Sequence, residues 1–169
     1  FADGTSGNER YKGYIQYDHA YDYMVFASNG SSRLTIDSAG RILIGTTTAP
    51  DNTAADDLTL SGTGHIGMTI RSTDSTSSRI YFADATSGTG EYAGYFLYDH
   101  SNNSLQVGTN SAERLRVDSS GTLLIGKTVD TQADAGHVIF GAGAGYSTRN
   151  GFTWLYNRLS TNGEILRFQ

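Results

Sequence analysis

The chain has 169 residues, a mass of 18.1 kDa, a net charge of -5 and a pI near 5.2. That acidic balance excludes a phosphate-neutralising surface, and with it nucleic acid as a partner. No apolar run is long enough for a membrane-spanning helix, no signal-peptide pattern opens the chain, and the absence of cysteine excludes disulfide scaffolds, thiolate zinc sites and thiol catalysis.

In chain order, the first predicted elements are strands at Tyr14–Tyr17 and Tyr23–Phe26, flanking a turn over Asp18–Asp22. Arg33–Asp37 then alternates polar and apolar residues, Ser38-Ala39-Gly40 intervenes, and Arg41–Gly45 returns. A three-residue connection ending in Gly suits a hairpin whose last loop residue takes a positive φ. Asp51–Ala55 reads as a linker loop, and further strands are expected at Asp57–Ser61, His65–Arg71 and Ser78–Ala83. Tyr95–Tyr98 and Ser104–Val107 form the next hairpin; Arg114–Asp118, Ser119-Ser120-Gly121 and Thr122–Gly126 form the last. Gly, Thr and Ser supply 59 of 169 residues against a single Pro, which excludes a helical bundle. Short strands at ten-residue spacing predict an antiparallel all-β protein.

These elements repeat. At an offset of 81, residues 1–50 align with 82–131 without a gap, and 22 of the 50 pairs are identical. A third, partial copy stands at Glu164-Ile165-Leu166-Arg167-Phe168, echoing Glu113-Arg114-Leu115-Arg116-Val117. The organisation read from the sequence is therefore a first repeat at 1–50, a spacer with further strands at 51–77, a second repeat at 78–131 and a partial third at 132–169. The phase starts and stops mid-repeat, so both ends read as cut from a longer protein. One unit carries few apolar side chains, so repeats of this kind need neighbours to close a core. The alternation places Leu34 and Ile36, and Leu115 and Val117, on one face with Ile44 and Ile125. That face is expected to point to an interior shared between chains, and Arg114, Arg116 and Asp118 to solvent or to cross-strand partners.

Candidate chemistry is sparse. Gly62-Thr-Gly64-His-Ile-Gly67 has dinucleotide-motif spacing but precedes a β-like run rather than a helix, so it reads as a glycine turn. Gly141-Ala-Gly143-Ala-Gly145 reads as a close-packing segment. Asp18-His19 and Asp99-His100 fall between strands, where Asp favours turns by bonding backbone amides two residues on. His65 and His137 stand at strand starts without partners. For glycoside hydrolysis a pair of carboxylates would be wanted, but the chain holds only four Glu, most of its 13 Asp are in turn-like contexts, and no Gly-x-Ser-x-Gly elbow occurs. Tyr11, Tyr14, Tyr17, Tyr21, Tyr23, Tyr92, Tyr95 and Tyr98 are half-buried strand residues on this reading, able to stack sugars where exposed. No catalytic, cofactor or metal residue is assigned, and no enzyme activity is expected.

The Phe-Ala-Asp-x-Thr-Ser-Gly blocks at 1–7 and 82–88, Gly-Tyr-x-x-Tyr-Asp-His at 13–19 and 94–100, and Glu-Arg-Leu-Arg-Val-Asp-Ser-Ser-Gly-Thr-Leu-Leu-Ile-Gly at 113–126 carry a resemblance. They are similar to repeats of tail-fibre and related structural proteins of tailed bacteriophages, especially of aquatic viruses. The resemblance implies an elongated, all-β stack of antiparallel hairpin repeats, an intertwined or side-by-side homotrimer in an extracellular virion fibre. Its implied partners are two further copies of the chain, other tail or baseplate proteins of the virion and, as a further candidate, a host-surface glycan; membrane insertion is not implied. Many such proteins end in a self-cleaving chaperone domain, and nothing in 1–169 resembles it. Two other classes stay open: a tailspike-like glycan hydrolase segment and a non-viral adhesin or surface filament.

Overall fold

The computed structural model describes residues 1–2, 4–51, 54–131, 134–140 and 145–149, with Asn8 and 152–156 described by backbone alone. The protein is all-β, and the chain divides into two units, Phe1–Thr69 and Ile70–Gln169. The partial third repeat at 164–168 lies outside the described residues.

The first unit holds one five-stranded sheet: β1 (Gly13–Asp18), β2 (Tyr23–Ser28), β3 (Ser31–Ile36), β4 (Ile42–Ile44) and β5 (Leu58–Leu60), neighbours in that order. The second holds eight strands in chain order: β6 (Ser77–Phe82), β7 (Gly94–Asp99), β8 (Ser104–Thr109), β9 (Ala112–Val117), β10 (Leu123–Ile125), β11 (Gly136–Ile139), β12 (Gly145–Arg149) and β13 (Phe152–Tyr156). All pairs are antiparallel except β4 with β5, which run parallel. A parallel pair needs a crossover of a dozen or more residues, and 45–57 supplies it. The antiparallel expectation is corrected at this one place.

Two further expectations change. The strand expected at His65–Arg71 is absent, since 65–71 pair with no strand. Ile66, Met68 and Ile70 still alternate there, all exposed, and Gly62, Gly64 and Gly67 weaken the segment's preference for a ladder. Each repeat also opens with a 3₁₀ turn, at Gly7–Tyr11 and Gly88–Tyr92, which the sequence pattern did not reveal.

The matching registers explain the repeat's conserved-looking residues one by one. Phe1 exchanges two backbone hydrogen bonds with Gly13, as Phe82 pairs with Gly94 in the second unit. In β3, Ala27 faces Ser32 while Phe26 faces Leu34, so Arg33 is an extra, bulged residue. Arg114 is the equivalent bulge in β9. Both bulged arginines turn back on the preceding strand, Arg33 Nε donating to the Ser28 carbonyl at 3.1 Å and Arg114 Nε to that of Thr109 at 3.2 Å. Their own carbonyls accept from Gly45 and Gly126, at 3.0 and 2.8 Å.

The hairpin between bulge and return strand closes as expected. Gly40 and Gly121 have φ of 84° and 80°, and their amides donate to the Asp37 and Asp118 carbonyls at 2.9 and 3.0 Å. The Asp37 carboxylate accepts from the Ala39 and Arg41 amides, and that of Asp118 from the Ser120 and Thr122 amides. Hydrogen bonds led by the Ser120 hydroxyl hold the Asp118 carboxyl below its ordinary range. At Asp37, burial pushes upward, but the Arg41 and Ala39 amides and the Arg41 guanidinium outweigh it.

Two expected outcomes follow from the turn. A Cβ at Gly121 meets nothing within 4 Å, so the cost of replacement is conformational alone. Gly121→Val should cost about 1 kcal/mol or more in urea denaturation, and Gly121→Asn clearly less, because Asn tolerates positive φ; equal losses would contradict this account. For Asp118, a folded pKa below the unfolded value of about 3.9 stabilises above that value and is lost as pH falls through the folded pKa. Asp118→Asn should therefore melt lower than the unaltered chain near neutral pH, the difference closing under acid conditions. A difference independent of pH would show that charge at Asp118 is irrelevant to the turn.

Candidate functional site

Pairing across each sheet sorts the side chains into two faces with different chemistry. In the first unit, one row reads Ile15, Phe26, Leu34, Ile44, Leu60 across the five strands, and the row two residues along reads Tyr17, Met24, Ile36, Ile42, Leu58. Both rows share a face. Every residue in them is apolar or aromatic, yet Ile15 is 63% and Leu58 55% exposed. The intervening row, Gln16, Val25, Thr35, Leu43, Thr59, points the other way, and there Leu43 is fully buried. Arg41 on that unit bridges Asp37 at 2.7 Å and Asp56 at 2.8 Å.

The second unit repeats the pattern. One row reads Ile80, Phe96, Val107, Leu115, Ile125, His137, the other Ser78, Tyr98, Leu105, Val117, Leu123, Ile139. Phe96, Leu105 and Ile139 are all more than 40% exposed. The row between them, Arg79, Leu97, Gln106, Arg116, Leu124, Val138, Tyr146, lies on the opposite face, with Leu124, Val138 and Tyr146 as its core and Phe140 packed against them.

The sequence therefore grouped the side chains correctly: Leu34, Ile36 and Ile44 share one face, as do Leu115, Val117 and Ile125. Within its own unit, however, this face is the open one. Leu34, Ile36, Leu115 and Val117 are half-buried, and Ile44 and Ile125 exposed. Arg116 takes the second of its two expected courses, bonding across to β8 instead of facing solvent. Its side chain is only 18% exposed and pairs with Glu113 at 2.7 Å, with Nη1 donating to Ser104 Oγ at 3.2 Å. Gln106 completes the group, its amide oriented to donate to Glu113 and to accept from Arg116.

The covered face carries a second polar group near Tyr146. Lys127 is buried; its ammonium donates to the carbonyls of Thr131 and Asp134 and lies 5.0 Å from the Tyr146 ring centre. Burial, then the hydrogen bond to Asp130, pushes the Tyr146 hydroxyl well up. These contacts fasten the loop between β10 and β11.

The remaining candidates lie apart. Asp18 and Asp99 end β1 and β7 and accept from the amides of Ala20 and Ser101, as turn residues do. His19 and His100 meet Tyr17 and Tyr98 edge-on at 4.9 and 5.0 Å, and His100 Nε2 is 3.1 Å from Ser78 Oγ. His65 stands in the unpaired run and His137 in β11. Gly62 and Gly64 flank no helix. Gly141 and Gly143 lie outside the described residues, while a Cβ at Gly145 would meet the Val138 carbonyl at 2.5 Å, a close backbone approach. Among the described residues, no three His, Asp or Glu gather in a metal-binding arrangement. The tyrosines divide: Tyr17 and Tyr98 stand on the open face, Tyr14 and Tyr95 on the covered one. Sequence reasoning missed the bulging role of Arg33 and Arg114 and the extension of the apolar rows by Leu58, Leu60 and Ile139.

Comparison with known proteins finds no family model, no curated protein and no solved structure that matches this chain.

The two faces predict opposite behaviour for adjacent residues of β10. Leu124→Ala should lower the chain's stability by about 2–5 kcal/mol, as for a filled core site. Ile125→Thr, on the open face, takes nothing from that core: it should lower the scattering mass, whereas Leu124→Ala should lower the melting point and leave the mass of the folded protein unchanged. Denaturation and light scattering of both variants test the assignment, and the reverse pattern would overturn it.

Proposed function

We propose that this chain is a structural segment of a bacteriophage tail fibre, a homotrimeric shaft of stacked hairpin repeats that supports host-surface recognition and attachment. Its partners on this reading are two further copies of itself, and other tail or baseplate proteins of the virion. The observation that carries the reading is the apolar face present on both sheets at repeat-equivalent positions. Burying one Leu or Ile contributes roughly 1.5–3 kcal/mol, so paired rows holding seven such residues in the first unit and six in the second are costly to leave in water. The repeat itself supports a fibre, since quasi-identical units give a surface that can be closed by the same contact along its length.

Light scattering over a range of concentrations tests the assembly. A mass of three times 18.1 kDa, independent of dilution, is the expected result, and a monomer would sink the proposal. Leu115→Asp should abolish assembly, because a carboxylate on the shared face would be buried unpaired. Arg116→Ala should weaken the second unit without releasing the partners, since Arg116 bonds within its own chain.

A further inference from the structure

Both units carry a shallow tyrosine-lined pocket, and the two are built from equivalent positions of the repeat. In the second unit Tyr92, Tyr95, Leu97 and Ser111 line it, with Arg79 and Tyr81. In the first, Tyr11, Tyr14, Gln16 and Gly30 occupy the matching positions, but Ile15 joins them and no residue there corresponds to Arg79 or Tyr81. Tyr95, like Tyr81, stands on the face opposite the apolar rows of its sheet, so an interface formed by those rows leaves the pocket open.

The construction of the second pocket is specific. Tyr95 pairs across the sheet with Gly108, where a Cβ would meet the tyrosine ring at 2.0 Å. The missing side chain lets that ring lie against the sheet backbone. Tyr81 pairs with Tyr95 from the neighbouring strand, and Tyr92 reaches the same place from the 3₁₀ turn, its ring centre 6.1 Å from that of Tyr81. Ser111, at φ 57°, is held by its hydroxyl to the Thr89 carbonyl at 2.7 Å. Arg79 leans over the Tyr81 ring, Nε donating to Ser77 Oγ at 2.6 Å and Nη1 to the Tyr81 hydroxyl. Among the described residues no carboxylate pairs with it, so part of its guanidinium fork is unused.

We infer that this pocket binds a single pyranose ring of an acidic saccharide. Rigid tyrosine faces receive the apolar face of the ring at low entropic cost, and their hydroxyls take its polar rim. The free edge of Arg79 matches a sugar carboxylate in planar geometry, which an ammonium could not do. A volume of about 240 Å³ falls short of the 300 Å³ at which pockets begin to enclose larger ligands. One ring fits, with the rest of a chain lying outside. The inference rests on the geometry of one unit and stands independently of the trimeric fibre.

The test titrates the full chain with tri-galacturonate and, as the neutral control, maltotriose, following heat and tyrosine ring proton shifts. Tri-galacturonate should bind, with maltotriose roughly tenfold weaker or more. Tyr92→Ala and Arg79→Gln should each weaken the acidic ligand by a similar factor, with circular dichroism and scattering mass unchanged. No response to either saccharide at about 10 mM, equal binding of the two, or binding indifferent to both replacements overturns the inference. Scattering mass reports on assembly and titration on the pocket, so failure of one is separable from failure of the other.

Discussion

A sheet one layer thick has two faces, and each unit of this chain builds its buried core on only one of them. That constraint governs the rest of the molecule. On the covered side, loops and short polar groups finish the packing: Arg41 between Asp37 and Asp56, Arg116 with Glu113 and Gln106, Lys127 over Tyr146. On the other side, two rows of aliphatic and aromatic side chains run across each sheet with nothing of their own unit over them. A sandwich solves this problem by folding a second sheet onto the first. Here the second unit carries the same arrangement of one core-bearing face and one apolar open face as the first.

Register is what makes the open face coherent. A slip of one residue would send the apolar set of any strand to the wrong side. Two devices prevent it in each unit. The bulged arginine, tied back to the preceding strand and accepting from the glycine that ends the return strand, pins the pairing at one end. The Asp turn, with its carboxylate bridging two amides and glycine at positive φ, pins the other. Three residues of ladder separate these clamps in β4 and β10, so neither strand has room to slide.

Much of this was legible in the sequence. Polar–apolar alternation in Arg33–Asp37 and Arg114–Asp118, with Gly40 and Gly121 behind them, identified hairpins and the shared face because period and turn chemistry are local properties. Three features were not legible for the converse reason. The parallel pairing of Leu58–Leu60 with Ile42–Ile44 depends on where a long crossover returns, which no local pattern encodes. Residues 65–71 alternate like a strand but meet no partner, and a ladder needs two. Arg116 looks like an exposed strand residue until Glu113, three positions earlier, is brought to the same side by the bulge at Arg114. The signal was present, as a like-spaced acid beside a known irregularity, but it required the bulge to be seen first.

After Gly45 and Gly126 the two copies part company. The same strand end leads in one case through 45–57 to a parallel neighbour, in the other through 126–135 to an antiparallel meander. Both continuations return a strand to the same two rows, with Leu58 and Leu60 in one case and His137 and Ile139 in the other. In both copies the glycine amide is already bonded to the bulged arginine's carbonyl, so the hairpin before it is closed whichever direction the next strand takes. The direction of that next strand is therefore set by the connection alone, and the same two rows are extended by a parallel neighbour in one unit and an antiparallel one in the other.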